Sequence, residues 1–115
     1  MDARYTLKKN SDFRRLYTKG KKAVTPYFIV YCRKNREVET RIGYTVSAKL
    51  GHAVVRNRIR RRLREVCRLN RDFIAGGHDL ILVARSRAEK ADFPVLEAAF
   101  LNACTELGIT AGAAK

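Results

Sequence analysis

Long apolar runs are absent from this sequence. No stretch approaches the roughly 20 apolar residues that a membrane-spanning helix needs. Residues 1–22 are polar and basic throughout and lack the apolar core of a signal peptide. We therefore expect a cytoplasmic protein that has no membrane partner.

Cysteine is scarce, and its spacing excludes two common uses of the residue. The three cysteines, Cys32, Cys67 and Cys104, are odd in number and lie far apart, and no CxxC pair exists. A zinc ribbon or a redox motif would require such pairs. We expect three small buried side chains in a reducing compartment.

Clustered catalytic groups are lacking as well. The two histidines, His52 and His78, fall in predicted turns without an acid or a nucleophile at a useful spacing, and the aspartates are scattered. Gly76-Gly77 lacks the other glycines and the lysine of a phosphate-binding loop. The sequence predicts no catalytic residue, no metal ligand and no cofactor held by protein side chains. If the protein takes part in a reaction, the catalytic groups belong to its partner.

Positive charge is what the sequence has in excess. Its 25 lysines and arginines against 11 aspartates and glutamates give a formal net charge of +14. A hydrophobic content of 46% is nevertheless typical of a folded chain, and 115 residues suffice for one domain with a modest core. The charge indicates phosphate-rich partners and binding that weakens with salt. An anionic membrane surface is the other partner that charge alone would allow.

Arginine is concentrated in one segment. From Arg56 to Arg71, half of the sixteen residues are arginine, and Glu65 is the one acid. Apolar residues recur at helical spacing through the same segment: Val55, Ile59, Leu63 and Val66. This spacing predicts a helix over roughly 54–71 with one face packed on the protein. An ordinary solvated helix mixes charges of both signs. Because the guanidinium fork matches phosphate geometry, the remaining faces indicate nucleic-acid binding.

The other patterns predict a small α+β domain. A short helix over 10–20 precedes strands over 27–34 and 41–47, the second antiparallel to the first, with room for a short extra strand near 22–25. The arginine helix follows, then an apolar run over 79–85 that suits a central strand buried on both faces, and a helix that ends at Gly108. This order favours a small sandwich of helices on a sheet. We expect one nucleic-acid-binding domain over 1–108 and a disordered tail over 109–115.

Aromatic residues could line a second binding surface. Phe13 and Tyr17 fall on one face of the first helix, and alternation places Tyr27 and Tyr31 on one face of the first long strand. Single-stranded nucleic acid is commonly held by rings that stack on unpaired bases beside a basic track. The same rings could equally be ordinary core, as we expect for Phe28. Three further residues project from the polar face of the second strand and could meet phosphates or riboses: Thr45, Ser47 and Lys49.

One segment is also familiar as a motif. Residues 49–61 (KLGHAVVRNRIRR) closely resemble the signature of the bacterial ribonuclease P protein component, a family whose motif has an Arg-Asn-Arg core, here Arg56-Asn57-Arg58. Supporting matches spread over most of the chain, at residues 7–9, 12–13, 41–47 and 79–85. The tripeptide alone would be a weak signal, but its extended context between two predicted strands is highly specific.

The resemblance implies a subunit of the ribonucleoprotein that removes the 5′ leader from precursor tRNA. In that family the RNA is the catalyst and requires Mg²⁺, one protein binds one RNA, and the fold is a small two-layer α+β sandwich with a left-handed βαβ crossover. Matching positions would place one set of residues against the catalytic RNA: Arg56, Asn57, Arg58, Arg60, Arg61, Arg62, Arg64 and Arg68. A second set would line a cleft for the single-stranded leader, between the first helix and the sheet: Phe13, Tyr17, Ile29 and Tyr31, with Thr45, Ser47 and Lys49 nearby.

Three other functions remain open from the residues alone. A structural RNA-binding protein of the ribosomal type, without a role in cleavage, would show similar charge and rings. A DNA-binding protein could lay the arginine helix in a major groove, although base reading needs a few polar side chains at set helical positions. A protein-only nuclease is the least favoured, because carboxylates and histidines are not clustered.

Overall fold

The computed structural model describes the backbone of residues 10–111 and the side chains of residues 13–111. It contains three helices, α1 (Asn10–Lys19), α2 (Ala53–Leu69) and α3 (Phe93–Leu107), and four strands, β1 (Lys21–Val24), β2 (Phe28–Lys34), β3 (Arg41–Thr45) and β4 (His78–Ala84). The α+β prediction is confirmed, and the short extra strand is β1. Among the described helices, none combines the length and the apolar character that crossing a bilayer requires.

The four strands form one mixed sheet in the order β1-β2-β4-β3. β2 pairs antiparallel with β1 and β4, whereas β3 pairs parallel with β4. β3 therefore runs antiparallel to β2, as predicted, but β4 lies between them. The parallel pair β3 and β4 is joined through α2, which gives the βαβ unit that the family resemblance implies. The left-handed sense of this crossover stays a prediction.

The main core lies between one face of the sheet and the helices α2 and α3. Phe28 and Val30 of β2 and Leu82 of β4 are fully buried there against Leu63 of α2 and Phe100 of α3. Phe28 is thus a core residue, as predicted. These two layers form the sandwich that the order of elements favoured.

α1 covers part of the opposite face and adds a third, incomplete layer. Leu16 of α1 and Ile81 of β4 are almost fully buried against each other, with Phe13, Tyr31 and Val83 packed around them. Because β4 is central and covered on both faces, its continuous apolar run has the burial that the sequence predicted.

The three cysteines are free and buried. Burial raises the pKa of the Cys67 and Cys104 thiols to about 12 and that of Cys32 to about 11. These groups are therefore protonated at neutral pH and behave as small apolar side chains.

The predicted disordered tail is wrong at its first residues. Gly108 adopts a left-handed conformation (φ 71°), and the N–H groups of Gly108 and Ile109 donate to the carbonyls of Thr105 and Cys104 at 3.1 and 3.0 Å. This Schellman turn sends Ile109 back into the core, where only 2% of it is exposed. Thr110 pairs with Ile74 in an isolated bridge. The domain therefore extends past 108, while residues 1–9 and 112–115 lie outside the described residues.

We expect Ile109→Ala to lower the free energy of unfolding by about 2–5 kcal/mol, because it leaves a cavity under the end of α3. Urea denaturation would measure the change. Val38, which is 87% exposed, provides the matched control, and Val38→Ala should change stability by less than about 0.5 kcal/mol. Equal midpoints of urea denaturation for the two variants would contradict the burial of Ile109 in the core.

Candidate nucleic-acid interface

The arginines of α2 point in several directions around the helix. Ile59 and Leu63 occupy its inward side and are fully buried, as the apolar spacing predicted. The exposed residues on the other side are Asn57, Arg58, Arg61, Arg64 and Arg68. Arg56, Arg60 and Arg62 lie on the flanks and are half-buried. The exposed arginines, with Arg56 and Arg60 beside them, form a rigid surface of guanidinium groups on this helix. We call this surface the arginine face.

Contacts within the protein orient several members of this face. Arg60 Nη1 donates to Asn57 Oδ1 at 3.0 Å, so the two polar residues act as one unit. The guanidinium carbon of Arg64 lies 6.0 Å from the centre of the Tyr44 ring, at the outer limit of a cation–π contact. Such contacts reduce the rotamer freedom that binding a phosphate would otherwise have to remove.

The one acid on the face is engaged by its neighbour. Arg68 Nε donates to Glu65 Oε2 at 3.1 Å, and its Nη2 donates to Oε1. The hydrogen bond from Arg68 holds the pKa of Glu65 below its usual value. Glu65 therefore stays ionised and neutralises one guanidinium, while Arg61 and Arg64 have no carboxylate partner among residues 13–111.

Two further arginines make different contacts at the start of α2. Arg58 forms an ion pair with Glu89 at 3.3 Å, and half of its side chain remains exposed. Arg56 Nε is buried without a hydrogen-bond partner. Arg58 therefore remains accessible to a ligand, whereas Arg56 presents only part of its guanidinium.

The guanidinium of Arg62 is engaged within the protein, and its predicted contact with RNA stays a prediction. Its Nη1 donates to the carbonyl oxygens of Ala88 (3.2 Å) and Glu89 (2.5 Å), and its Nη2 donates to that of Ala91. The guanidinium thus donates its hydrogen bonds to the backbone of the segment that precedes α3. Arg62 fixes this segment to α2 and has a structural role.

α1 covers only part of one face of the sheet, and we call the uncovered part of that face beside α1 the cleft. The rings of Tyr17 and Tyr31 meet edge to face, with centroids 5.0 Å apart and planes at 88°. The Tyr17 hydroxyl is 2.9 Å from Thr45 Oγ1. Tyr17 remains 41% exposed, so part of its side chain is accessible. The predicted residues Phe13, Tyr17, Tyr31 and Thr45 are therefore brought together.

The floor of the cleft is a row of residues across the strands. Val24, Ile29, Val83 and Thr45 are neighbours in register across β1, β2, β4 and β3. Val24 is exposed, and the other three are half-buried, so α1 leaves this row open. Val24 and Val83 were not predicted. Val83 is two residues after Ile81 and therefore lies on the same face of the sheet, which could have indicated that it lines the cleft. Because Val83 belongs to a continuous apolar run, the sequence instead favoured its full burial.

Tyr27 does not line the cleft, so the prediction that it shares a face with Tyr31 is wrong. β2 begins at Phe28, and Tyr27 belongs to the bend that follows Pro26. Strand alternation therefore does not apply to it, and its ring packs against the main core.

Ser47 and Lys49 lie just beyond the end of β3, which is shorter than predicted. The Ser47 hydroxyl accepts from the N–H of Lys49 at 3.2 Å and so caps a short 3₁₀ turn. Both side chains are exposed. They follow Thr45 along the chain, in the turn between β3 and α2, and their predicted place beside the cleft stays a prediction.

Within the described range, no group of three or more histidine, cysteine or acidic side chains could hold a metal ion. An arginine-covered helix on one side of a sheet and an aromatic cleft on the other define a small α+β nucleic-acid-binding protein. Its two surfaces differ in kind: one suits closely spaced phosphates, and the other suits an unpaired strand.

Comparisons with known proteins give the family. The Ribonuclease P family model matches residues 1–108. The chain is 42% identical over 97 residues to the ribonuclease P protein component of Natranaerobius thermophilus, covering 84% of each sequence. It is similar to the solved ribonuclease P protein of Staphylococcus aureus (TM-score 0.81, 33% identity, 91% of this chain and 96% of that one). It is also similar to the solved ribonuclease P protein of Thermotoga maritima (TM-score 0.77, 32% identity, 84% of this chain and 92% of that one).

The chain therefore belongs to the ribonuclease P protein family, whose members are protein subunits of a tRNA-processing endoribonuclease. The resemblance seen in the motif around Arg56 is confirmed, as is the subunit role. Nothing in the comparisons favours a structural RNA-binding protein outside this enzyme. The assignment of individual residues to one RNA or the other stays a prediction.

Proposed function

We propose that the protein binds ribonuclease P RNA through the arginine face and the single-stranded 5′ leader of precursor tRNA in the cleft. Cleavage of the tRNA 5′ end is then performed by the RNA, which supplies the catalytic groups and the Mg²⁺ sites. One protein serves one RNA, in the cytoplasm, where precursor tRNA is made.

The observation that carries this proposal is the placement of two unlike surfaces on opposite sides of one sheet. α2 packs on the core face, and the cleft between α1 and the sheet opens on the other. A single rigid body can therefore hold a folded polyanion and an unpaired strand at the same time. Its net charge of +14 offsets the repulsion between the two RNAs.

The arginine face determines how binding depends on salt. Neutralising on the order of 6–10 phosphates lowers affinity by about 10³–10⁵ between 50 and 200 mM salt. The cleft contributes selectivity instead, since mature tRNA has no leader to place in it. Each stacked base adds roughly 1–3 kcal/mol to binding of the precursor.

Tyr17 gives a sharp test of the cleft. Tyr17→Ala should weaken binding of precursor tRNA to the assembled ribonucleoprotein by roughly 1–3 kcal/mol, because it removes a stacking ring. Tyr17→Phe keeps the ring and loses the contact between its hydroxyl and Thr45, so it should stay within about threefold of the unmodified protein. Mature tRNA should bind all three proteins equally. An equal loss for precursor and mature tRNA would remove the cleft from the proposal.

The whole proposal is tested by cleavage of a leader-bearing precursor tRNA at low Mg²⁺. The reactions contain the protein alone, bacterial ribonuclease P RNA alone, and both together. We expect cleavage at the mature 5′ end that requires the RNA and is stimulated by the protein. A protein that neither binds nor stimulates this RNA would overturn the proposal, and cleavage by the protein alone would refute its division of labour.

A further inference from the structure

A small pocket lies at the end of the sheet away from the open row of the cleft. Its volume is about 280 Å³, and its basic lining comes from four elements: Lys19 of α1, Lys21 of β1, Arg33 and Lys34 of β2, and His78 of β4. Cross-strand pairing sets Lys34 opposite His78. Leu107 and Ile109, at the end of α3, form an apolar side. We call this site the corner pocket; it contains no residue of α2.

The positive charges of the corner pocket lack partners among the side chains of residues 13–111. Within residues 13–111, the ammonium groups of Lys19, Lys21 and Lys34 form no ion pair or side-chain hydrogen bond, and Arg33 Nη1 is buried without a hydrogen-bond partner. No described aspartate or glutamate lines the pocket. Converging cations without counterions destabilise the empty site through mutual repulsion, which an anionic ligand would relieve.

The acid that could have neutralised Arg33 is occupied elsewhere. Asp79 is opposite Arg33 in the β2–β4 pairing. Its carboxylate accepts two hydrogen bonds from Arg41, at 3.0 and 2.9 Å, and one from the Asn35 amide at 2.8 Å. These three donors occupy the carboxylate, and the guanidinium of Arg33 retains its capacity to donate.

The remaining groups favour a phosphate attached to an organic moiety. His78 Nδ1 lies 3.0 Å from the Gly76 carbonyl oxygen, which can only accept, so Nδ1 donates and Nε2 of the neutral ring can accept from a ribose hydroxyl. The C-terminal end of α3 contributes a negative charge of only about half an elementary unit. Its last carbonyls already accept from Gly108 and Ile109. The four cationic side chains of the pocket therefore outweigh the partial negative charge of the helix end.

We propose that the corner pocket binds a phosphate group, supplied either by RNA or by a free nucleotide. The lysines and Arg33 hold the phosphate oxygens, and Leu107 contacts the ribose or base. The volume suits a mononucleotide-sized group rather than a larger ligand. This site is independent of the arginine face and of the leader cleft.

The test is a titration of the full ¹⁵N-labelled protein, without ribonuclease P RNA, followed by NMR. Inorganic phosphate should shift the amide signals of His78 and Gly108 and saturate. Lys21→Ala with Lys34→Ala should weaken the affinity measured at these signals by about tenfold or more, since two charge-assisted contacts are lost. Arg87→Ala with Lys90→Ala removes the same charge from exposed positions outside the pocket and should leave that affinity within about twofold.

Two further arms identify the source of the phosphate. Tighter binding of AMP than of a phosphorylated RNA trinucleotide, at the same signals, indicates a free nucleotide. The reverse order indicates RNA. Shifts confined to α2, or affinities at His78 and Gly108 that the lysine variant leaves unchanged, would overturn the proposal. Lys21 and Lys34 are exposed, so folding should persist, and Lys34→Gln alone repeats the test if the double variant melts early. Because no catalytic RNA is present, failure here leaves the subunit role untouched.

Discussion

Arg61→Ala combined with Arg64→Ala should weaken assembly with ribonuclease P RNA by about 10–100-fold at physiological salt, because two phosphate contacts of charged donors are lost. Both side chains are exposed on the arginine face. The slope of log affinity against log salt should also fall by roughly two. Arg60 is a less informative choice, since it is half-buried and holds Asn57. Equilibrium binding measured at several salt concentrations would give both quantities.

The matched control for this prediction removes the same charge elsewhere. Arg36 and Arg87 are exposed and lie outside α2. Arg36→Ala with Arg87→Ala should cost less than about threefold in assembly, because distant charges are screened within roughly 8 Å at physiological ionic strength. Similar losses for the two double variants would show that net charge, rather than the arginine face, determines assembly.

Arg62→Ala should lower the free energy of unfolding of the free protein by about 2–4 kcal/mol. The change leaves three backbone carbonyls, of Ala88, Glu89 and Ala91, without their donor. A domain of this size has a total stability of only about 5–15 kcal/mol, so the loss should be evident in urea denaturation. Arg61→Ala, on the exposed side of the same helix, should cost less than about 0.5 kcal/mol.

Arg62→Lys separates the structural role from an RNA contact. Lysine keeps the charge but lacks the planar fork that reaches several carbonyls at once. A structural role predicts a stability loss close to that of Arg62→Ala. Unchanged stability in both variants, with weakened RNA binding in Arg62→Ala alone, would return Arg62 to the arginine face.

Local patterns were sufficient for much of the fold. The inward side of α2 follows from spacing alone, since Ile59 and Leu63 recur at one helical period and both are fully buried. The apolar run of β4 likewise indicated a central strand. The position of β4 between β2 and β3 could not be predicted in this way, because strand order depends on contacts between residues far apart in sequence.

The features that the sequence patterns missed share a cause: the contacting residues are distant in sequence, or the backbone is irregular. Arg62 meets carbonyls 26 to 29 residues away, and no spacing within α2 could reveal that contact. Tyr27 stands one residue before β2, where strand alternation does not hold. The burial of Ile109, in contrast, could have been predicted from the sequence. An apolar residue directly after a helix-ending glycine is typical of a Schellman turn.

β3 brings the two binding surfaces within one residue of each other. Tyr44 lies under the guanidinium of Arg64, and the next residue, Thr45, contacts the Tyr17 hydroxyl in the cleft. A shift of this strand would therefore change both surfaces at once. Any coupling it transmits must be reciprocal: if the catalytic RNA raises affinity for the leader, the leader raises affinity for the RNA by the same factor.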